Sequence, residues 1–196
     1  MLRDAVQFYD TGKKVEKYFK DTKRTCNLLL GVGDGKPESQ YFRGISSDAG
    51  RIEFYDDTNM EPNVLVLQNG TIDEDFDLKH DRIENVVYYS MDWFCPTFNG
   101  QLRDRLTANW GDIDAKNLIS DIIPSTNTGN LHISIYDYSD DSMYVAFAKR
   151  SDVEEGSLYA YNRSWTKVPL LELFEESSGT RSLIHLTVLV LALVLF

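Results

Sequence analysis

Side-chain catalysis in water needs a nucleophile, a base within reach and donors for developing negative charge. The sequence offers few residues for these tasks: three histidines, His80, His132 and His185, and two cysteines, Cys26 and Cys95. No GxSxG turn presents a serine, and no HExxH helix presents a pair of zinc ligands. His132 falls in an alternating strand pattern, where a histidine packs or hydrogen-bonds rather than serving as a base. His80 precedes a helical pattern, the place of a capping or surface residue. The cysteines form no CxxC or Cys/His pair, so no zinc site follows from them. Whether they form a bridge stays open, because sequence does not say if their Cα atoms approach to about 6 Å.

Carboxylates are the other candidate ligands. Asp73, Asp75, Asp77, Asp81 and Glu84 have the spacing of an EF-hand loop, yet Leu78 stands where the sharp turn needs glycine, and a strand pattern precedes the run. The run reads as a solvated loop. Asp137 to Asp141 lacks that spacing and reads as a surface turn, so no metal and no cofactor are expected. Acidic residues number 31 against 20 basic ones, a formal charge of -11 spread along the chain. Such a surface repels the phosphate backbone, which excludes nucleic acid as a partner.

Elements must position these residues. Asp4 to Lys20 has helical spacing interrupted at Gly12, which predicts one broken helix or two short ones. Cys26 to Val32 is a short apolar run ending in the turn signal Gly33-Asp34-Gly35-Lys36, and so reads as a buried strand entering a hairpin. Strands at Tyr41–Ile45, Arg51–Tyr55 and Asn63–Gln68 would complete an antiparallel sheet. Helical spacing at His80–Trp93, Leu102–Trp110 and Ala115–Ile123 predicts a helical block to cover it, with Asp112 or Asp114 as a cap and Pro124 as the stop. A hairpin follows at Leu131–Asp137 and Met143–Ala148, with its turn at Ser139–Ser142. Leu158–Tyr161 with Trp165–Val168 reads as one more strand, and Leu170–Glu176 as a short helix. Strands, then helices, then strands indicate an α+β domain rather than alternating βαβ units. Gly31-Val32-Gly33 leads into a turn and another strand, so it is no dinucleotide fingerprint.

The ends differ in character. Leu183–Phe196 is almost wholly apolar but shorter than the ~20 residues of a membrane-spanning helix. It reads as an anchoring or processing tail, with the small residues Ser177, Ser178 and Gly179 as the attachment region of a glycolipid-anchor signal and a spacer shorter than usual. The expected domains are therefore 1–176 and a tail 177–196, with the membrane reached through the tail. Asn69-Gly70-Thr71 and Asn162-Arg163-Ser164 are N-glycosylation sequons and agree with passage through the secretory pathway. Met1 is followed by no export-type apolar run, so the sequence reads as lacking its N-terminal part.

Lys23-Arg24-Thr25-Cys26 through Gly33-Asp34-Gly35 resembles the arginine-threonine, apolar strand, aspartate-glycine segment of the penicillin acyltransferase-like branch of the N-terminal-nucleophile hydrolases. Glu84–Pro96, Thr128–Asp137 and Met143-Tyr144-Val145 are similar to a eukaryotic subgroup of that branch. Ala160-Tyr161-Asn162-Arg163, followed by Leu171–Glu175, resembles its C-terminal end. The likeness runs in order from about Ala5 to Glu176.

That resemblance implies an αββα sandwich of antiparallel sheets covered by helices, of which this chain is the C-terminal part. It implies a secreted or surface-anchored amidohydrolase or acyltransferase acting on small N-acyl amides, without a cofactor. The family's nucleophile is a cysteine freed by self-cleavage, whose own α-amine, with a pKa of about 8, serves as base. The resemblance places that residue upstream of Met1, so the missing N-terminal part of the same product becomes a partner. Cleavage between Thr25 and Cys26 is the minor alternative, disfavoured because Cys26 falls inside a predicted strand. Asn69 lies where the family has an oxyanion-type asparagine, although a glycan there would exclude that role. Arg163 could bind a substrate carboxylate bidentately. The competing reading, from another class, is a secreted or surface binding protein that kept the scaffold without catalysis.

Overall fold

The computed structural model describes residues 1–26, 28–35, 41–60, 81–88, 96–126, 129–149, 158–170, 172 and 189–191. These fall into two compact units. The first is built from described residues within Met1–Tyr55, Ile133–Ala146 and Trp165–Val194, the second from those within Asp56–His132 and Phe147–Ser164. The α+β class expected from the sequence is observed, as helices with two antiparallel sheets.

The first unit opens with two short helices, α1 (Leu2–Phe8) and α2 (Gly12–Asp21). Of the two arrangements expected for Asp4–Lys20, the two short helices are observed, and Gly12 begins the second. Val15 and Phe19, four residues apart, lie on one buried face of α2. The opposite face carries lysines, and the pairs Asp10–Lys14 (2.7 Å) and Glu16–Lys20 (2.5 Å) run along it.

The first sheet has the order β3-β2-β1-β7, made of β1 (Leu28–Asp34), β2 (Tyr41–Ser47), β3 (Ile52–Tyr55) and β7 (Leu189–Leu191). β1 pairs antiparallel with β2 from Leu28↔Ser47 to Asp34↔Tyr41 and, on its other side, with β7 at Gly31↔Leu191 through Gly33↔Leu189. Leu30 to Asp34 are buried in succession, as in a strand covered on both faces. Ala5, Val15 and Phe19 from the helices meet Leu30, Val32, Tyr41 and Ile45 from the sheet in one core. Each large side chain buried there contributes about 1.5–3 kcal/mol.

The second sheet has the order β4-β5-β6, with β4 (His132–Asp137), β5 (Ser142–Phe147) and β6 (Thr166–Pro169). Residues 138–141 form the turn between β4 and β5, and Asp141 takes a φ of 45° there. β6 pairs with β5 from Ser142↔Pro169 to Val145↔Thr166. The expected strand at Leu158–Tyr161 is instead a single bridge, Lys149↔Leu158, followed by a 3-10 turn, Ala160–Asn162.

In the second unit, α3 (Pro96–Ala108) begins before the expected start at Leu102. α4 (Ala115–Asn117) is capped by Asp114, whose Oδ1 accepts from the Asn117 amide at 2.7 Å. It continues through a π-helical turn, Leu118–Ile122, into α5 (Ile123–Ser125). The helix expected at His80–Trp93 is absent from its described part, 81–88. There Asn85 has a left-handed φ of 60° and Val86 N donates to Ile83 O at 3.0 Å, which closes a tight turn. Ile83, Tyr88, Leu106 and Ile122 form this unit's core. The residues expected as a strand at Asn63–Gln68 lie outside the described residues.

Candidate functional site

The segment Lys23 to Gly35, which carries the family resemblance, acts on helix α2 at both ends. An α-helix leaves its first N–H groups and last carbonyls without partners and concentrates positive charge at its start and negative charge at its end. Thr11, the N-cap residue of α2, makes no side-chain cap. The Asp34 carboxylate takes its place from β1: Oδ2 accepts from the Gly12 amide at 2.8 Å in a buried bond. At the far end the Arg24 guanidinium donates to Phe19 O at 2.8 Å and Thr22 O at 2.9 Å, and through Nε to Asp48 O at 3.0 Å. An anion thus sits at the positive end of α2 and a cation at its negative end. One amide at the start of α2 and two carbonyls at and just past its end are served from one short stretch of sequence.

Asp34 is 4% exposed, and its second oxygen, Oδ1, has no hydrogen-bond partner among the described residues. Tyr41 lies beside it across the β1–β2 pair. A Cβ on residue 12 would stand 2.1 Å from Tyr41 Cδ1, so the close approach of ring and helix requires glycine. The Tyr41 hydroxyl donates to the Glu16 carboxylate, which also pairs with Lys20. Burial and then the Glu16 hydrogen bond hold the Tyr41 phenol well above its ordinary range. For Glu16, burial opposes the charge, but hydrogen bonds from Lys20 and Tyr41 outweigh it and keep the carboxyl below its usual value. Just past the end of β1, a Cβ on residue 35 would stand 2.7 Å from the Tyr138 Cβ and Cγ, so Gly35 leaves room for that side chain. Chemically, this cluster holds a helix and two strands in fixed relation. Its charged groups are engaged with the scaffold.

The sequence-derived candidates do not meet in one place. Cys26 carries a free, exposed thiol in the bend that precedes β1, which corrects its expected place inside the strand. Cys95, His80, His185, Asn69, Ser177 and Ser178 lie outside the described residues. His132, expected to pack or hydrogen-bond rather than act as a base, opens β4 as an exposed side chain whose ring centroid is 6.1 Å from that of Phe147. Asn162 and Arg163 are both exposed, in and just after the 3-10 turn. Arg163 makes no ion pair among the described residues. Asp137 accepts from Ser139 N and Oγ, and Asp140 pairs with Lys167 at 2.5 Å, as surface-turn carboxylates do.

Sequence reasoning missed Asp34 as a buried group, because Gly33-Asp34-Gly35 reads as a turn. The signal that could have found it is the unbroken apolar run before it, which marks a strand covered on both faces. It also missed Asp57, which accepts from Arg82 Nε and Nη2 and from the Asn85 amide at 3.0–3.1 Å and ties the 81–88 loop to the residues after β3. Among the described residues no group of histidines, cysteines and carboxylates could hold a metal ion. No described helix is long and apolar enough to cross a membrane.

No family model matches the chain, and no solved structure matches it. Two curated proteins of Dictyostelium discoideum are similar to it. Protein dcd1A is 27% identical over 152 residues, which cover 77% of this chain and 31% of the relative. Protein dcd1B is 26% identical over 148 residues, covering 76% of this chain and 27% of the relative. The chain therefore spans less than a third of the length of these relatives, and its likeness to them takes in about three quarters of its own.

Proposed function

We propose that this chain is the C-terminal portion of a cysteine N-terminal-nucleophile amidohydrolase or acyltransferase that acts on N-acyl amides. The observation that carries the reading is the ordered family resemblance from about Ala5 to Glu176. Its first segment supplies, at Arg24 and Asp34, the two charged groups that fix α2 against the first sheet. On this reading the described part is scaffold and pocket wall, and the nucleophile belongs to polypeptide outside these 196 residues. A thiol and an α-amine on one residue would do the chemistry there, the amine taking the thiol proton. Asn69 is the oxyanion candidate and Arg163 the carboxylate-binding one. The same reading places the product in the secretory pathway, extracellular, lysosomal or held at the cell surface through Ser177 or Ser178, with glycans at Asn69 and Asn162.

Hydrolysis of simple N-acyl amides by the full-length gene product and by this chain alone tests the proposal. Activity is expected in the longer product and not in the chain alone. Activity in the chain alone that Cys26→Ala abolishes would move the nucleophile to Cys26. Absence of hydrolysis by the longer product would leave a binding protein that kept the scaffold.

A further inference from the structure

We infer that Asn162 carries an N-linked glycan whose first sugar packs on the exposed ring of Tyr159, which is itself stacked on Tyr161. The inference rests on the reading that the product enters the secretory pathway, and it goes beyond that reading by giving the glycan a structural seat. Asn162, Arg163 and Ser164, the full acceptor triplet, are all exposed, which leaves the folded chain room for a bulky glycan. The Asn162 side-chain amide makes no hydrogen bond among the described residues.

The turn brings two tyrosines within three residues of that amide. Asn162 N donates to Tyr159 O and Arg163 N to Ala160 O, each at 3.0 Å. An i to i+3 bond of this kind keeps the Cα atoms of Tyr159 and Asn162 within about 7 Å. The Tyr159 and Tyr161 rings stack 5.8 Å apart at 11°. Tyr159 stays 40% exposed, and Leu158 beside it 39%. A pyranose has one face of C–H groups, whose positive edges suit the negative face of an aromatic ring. The turn itself is anchored: Ala160 is fully buried and its amide donates to Gly129 O at 2.8 Å. A sugar on Asn162 would therefore rest on a platform already in place and cover apolar surface that otherwise faces water.

The full chain, secreted from eukaryotic cells behind a cleavable export leader, tests this. Mass spectrometry of the peptide that contains Asn162 should find it glycosylated, and an unmodified Asn162 in secreted chain overturns the inference. Ser164→Ala removes the glycan while keeping Asn162, and should lower the melting temperature by about 2–4 °C in a chain of this size. The same substitution should have no effect in a Tyr159→Ala background and its full effect in a Tyr159→Phe background. An equal effect in all three backgrounds overturns the stacking. Amide hydrolysis is a separate readout: its absence together with a seated glycan would count against the enzyme reading alone.

Discussion

Replacing Asp34 by alanine removes the acceptor of the Gly12 amide and leaves that N–H buried at the positive end of α2. A hydrogen bond to a charged acceptor contributes about 1.5–3 kcal/mol net. The unpaired Oδ1 is a buried polar atom whose removal returns part of this. A net cost of about 2 kcal/mol follows for Asp34→Ala. Asparagine keeps an acceptor and loses the charge, so Asp34→Asn should cost about 1 kcal/mol. Arg24→Ala, which frees the carbonyls of Phe19 and Thr22 in a more exposed setting, should also cost about 1 kcal/mol. The two residues share no partner and act at opposite ends of a helix ~15 Å long, so the double substitution should be additive within ~0.5 kcal/mol. Urea melts of the full chain would read the shift in midpoint at constant slope. Hydrogen exchange at the Gly12 amide reads the helix start directly, and 2 kcal/mol there speeds exchange by about 30-fold. An alanine variant within ~0.5 kcal/mol of the parent, or an asparagine variant no better than alanine, would refute the account of Asp34 as a cap supplied from the strand.

Four further outcomes are expected. Gly12→Ala drives a methyl group into the Tyr41 ring and should cost about 1–3 kcal/mol; Tyr41→Ala in the same chain should recover part of it in thermal melts, and full additivity would count against the clash. Glu16, held below its ordinary 4.5, stabilises the fold fully above pH 4.5 and loses that contribution as pH falls through its lower folded value, so Glu16→Gln should flatten the acid limb of melting temperature against pH. Tyr41, held above its ordinary 10.0, contributes fully below pH 10 and loses that contribution as pH rises beyond, so Tyr41→Phe should flatten the alkaline limb. Asn85, at a φ of 60°, should tolerate glycine without loss, whereas Asn85→Val should cost about 1–2 kcal/mol in the same melts.

Where one periodicity has one structural solution, the sequence was readable. Val15 and Phe19 mark the buried face of α2, and Ile133 with Ile135 mark that of β4. Apolar spacing failed where two solutions share it. Ile83 and Val86, three apart, fit a helix face, but they also fit the two arms of a tight turn, and Asn85 in the left-handed region decides for the turn. Pro124 was expected to stop its helix, because its ring opposes the carbonyl four residues earlier. The observed helix runs on to Ser125, with Ile123 N donating to Leu118 O in a π-type bond just before the proline. This widened turn is where the ladder changes spacing, a local adjustment that no composition signal announces. Of the candidate site, exposure could be foreseen for Asn162 and Arg163 but not for His132, whose strand begins at that residue.

The family-like segment also explains why function was harder to read than fold. Its arginine, its aspartate-glycine pair and its apolar run look like chemistry because charged residues flank a buried strand. In the structure each has a mechanical task. Arg24 closes one end of α2, Asp34 closes the other, and Gly35 leaves space for Tyr138. Groups so engaged are poorly placed to exchange protons with a substrate, since any change in their charge would loosen the helix they hold. On the proposed reading the reactive group therefore lies elsewhere in the polypeptide. Substitutions at Arg24 or Asp34 should then lower the amount of folded protein while leaving the KM of the proposed amide hydrolysis unchanged in the folded fraction. A change in KM without loss of stability would place these residues in the pocket instead.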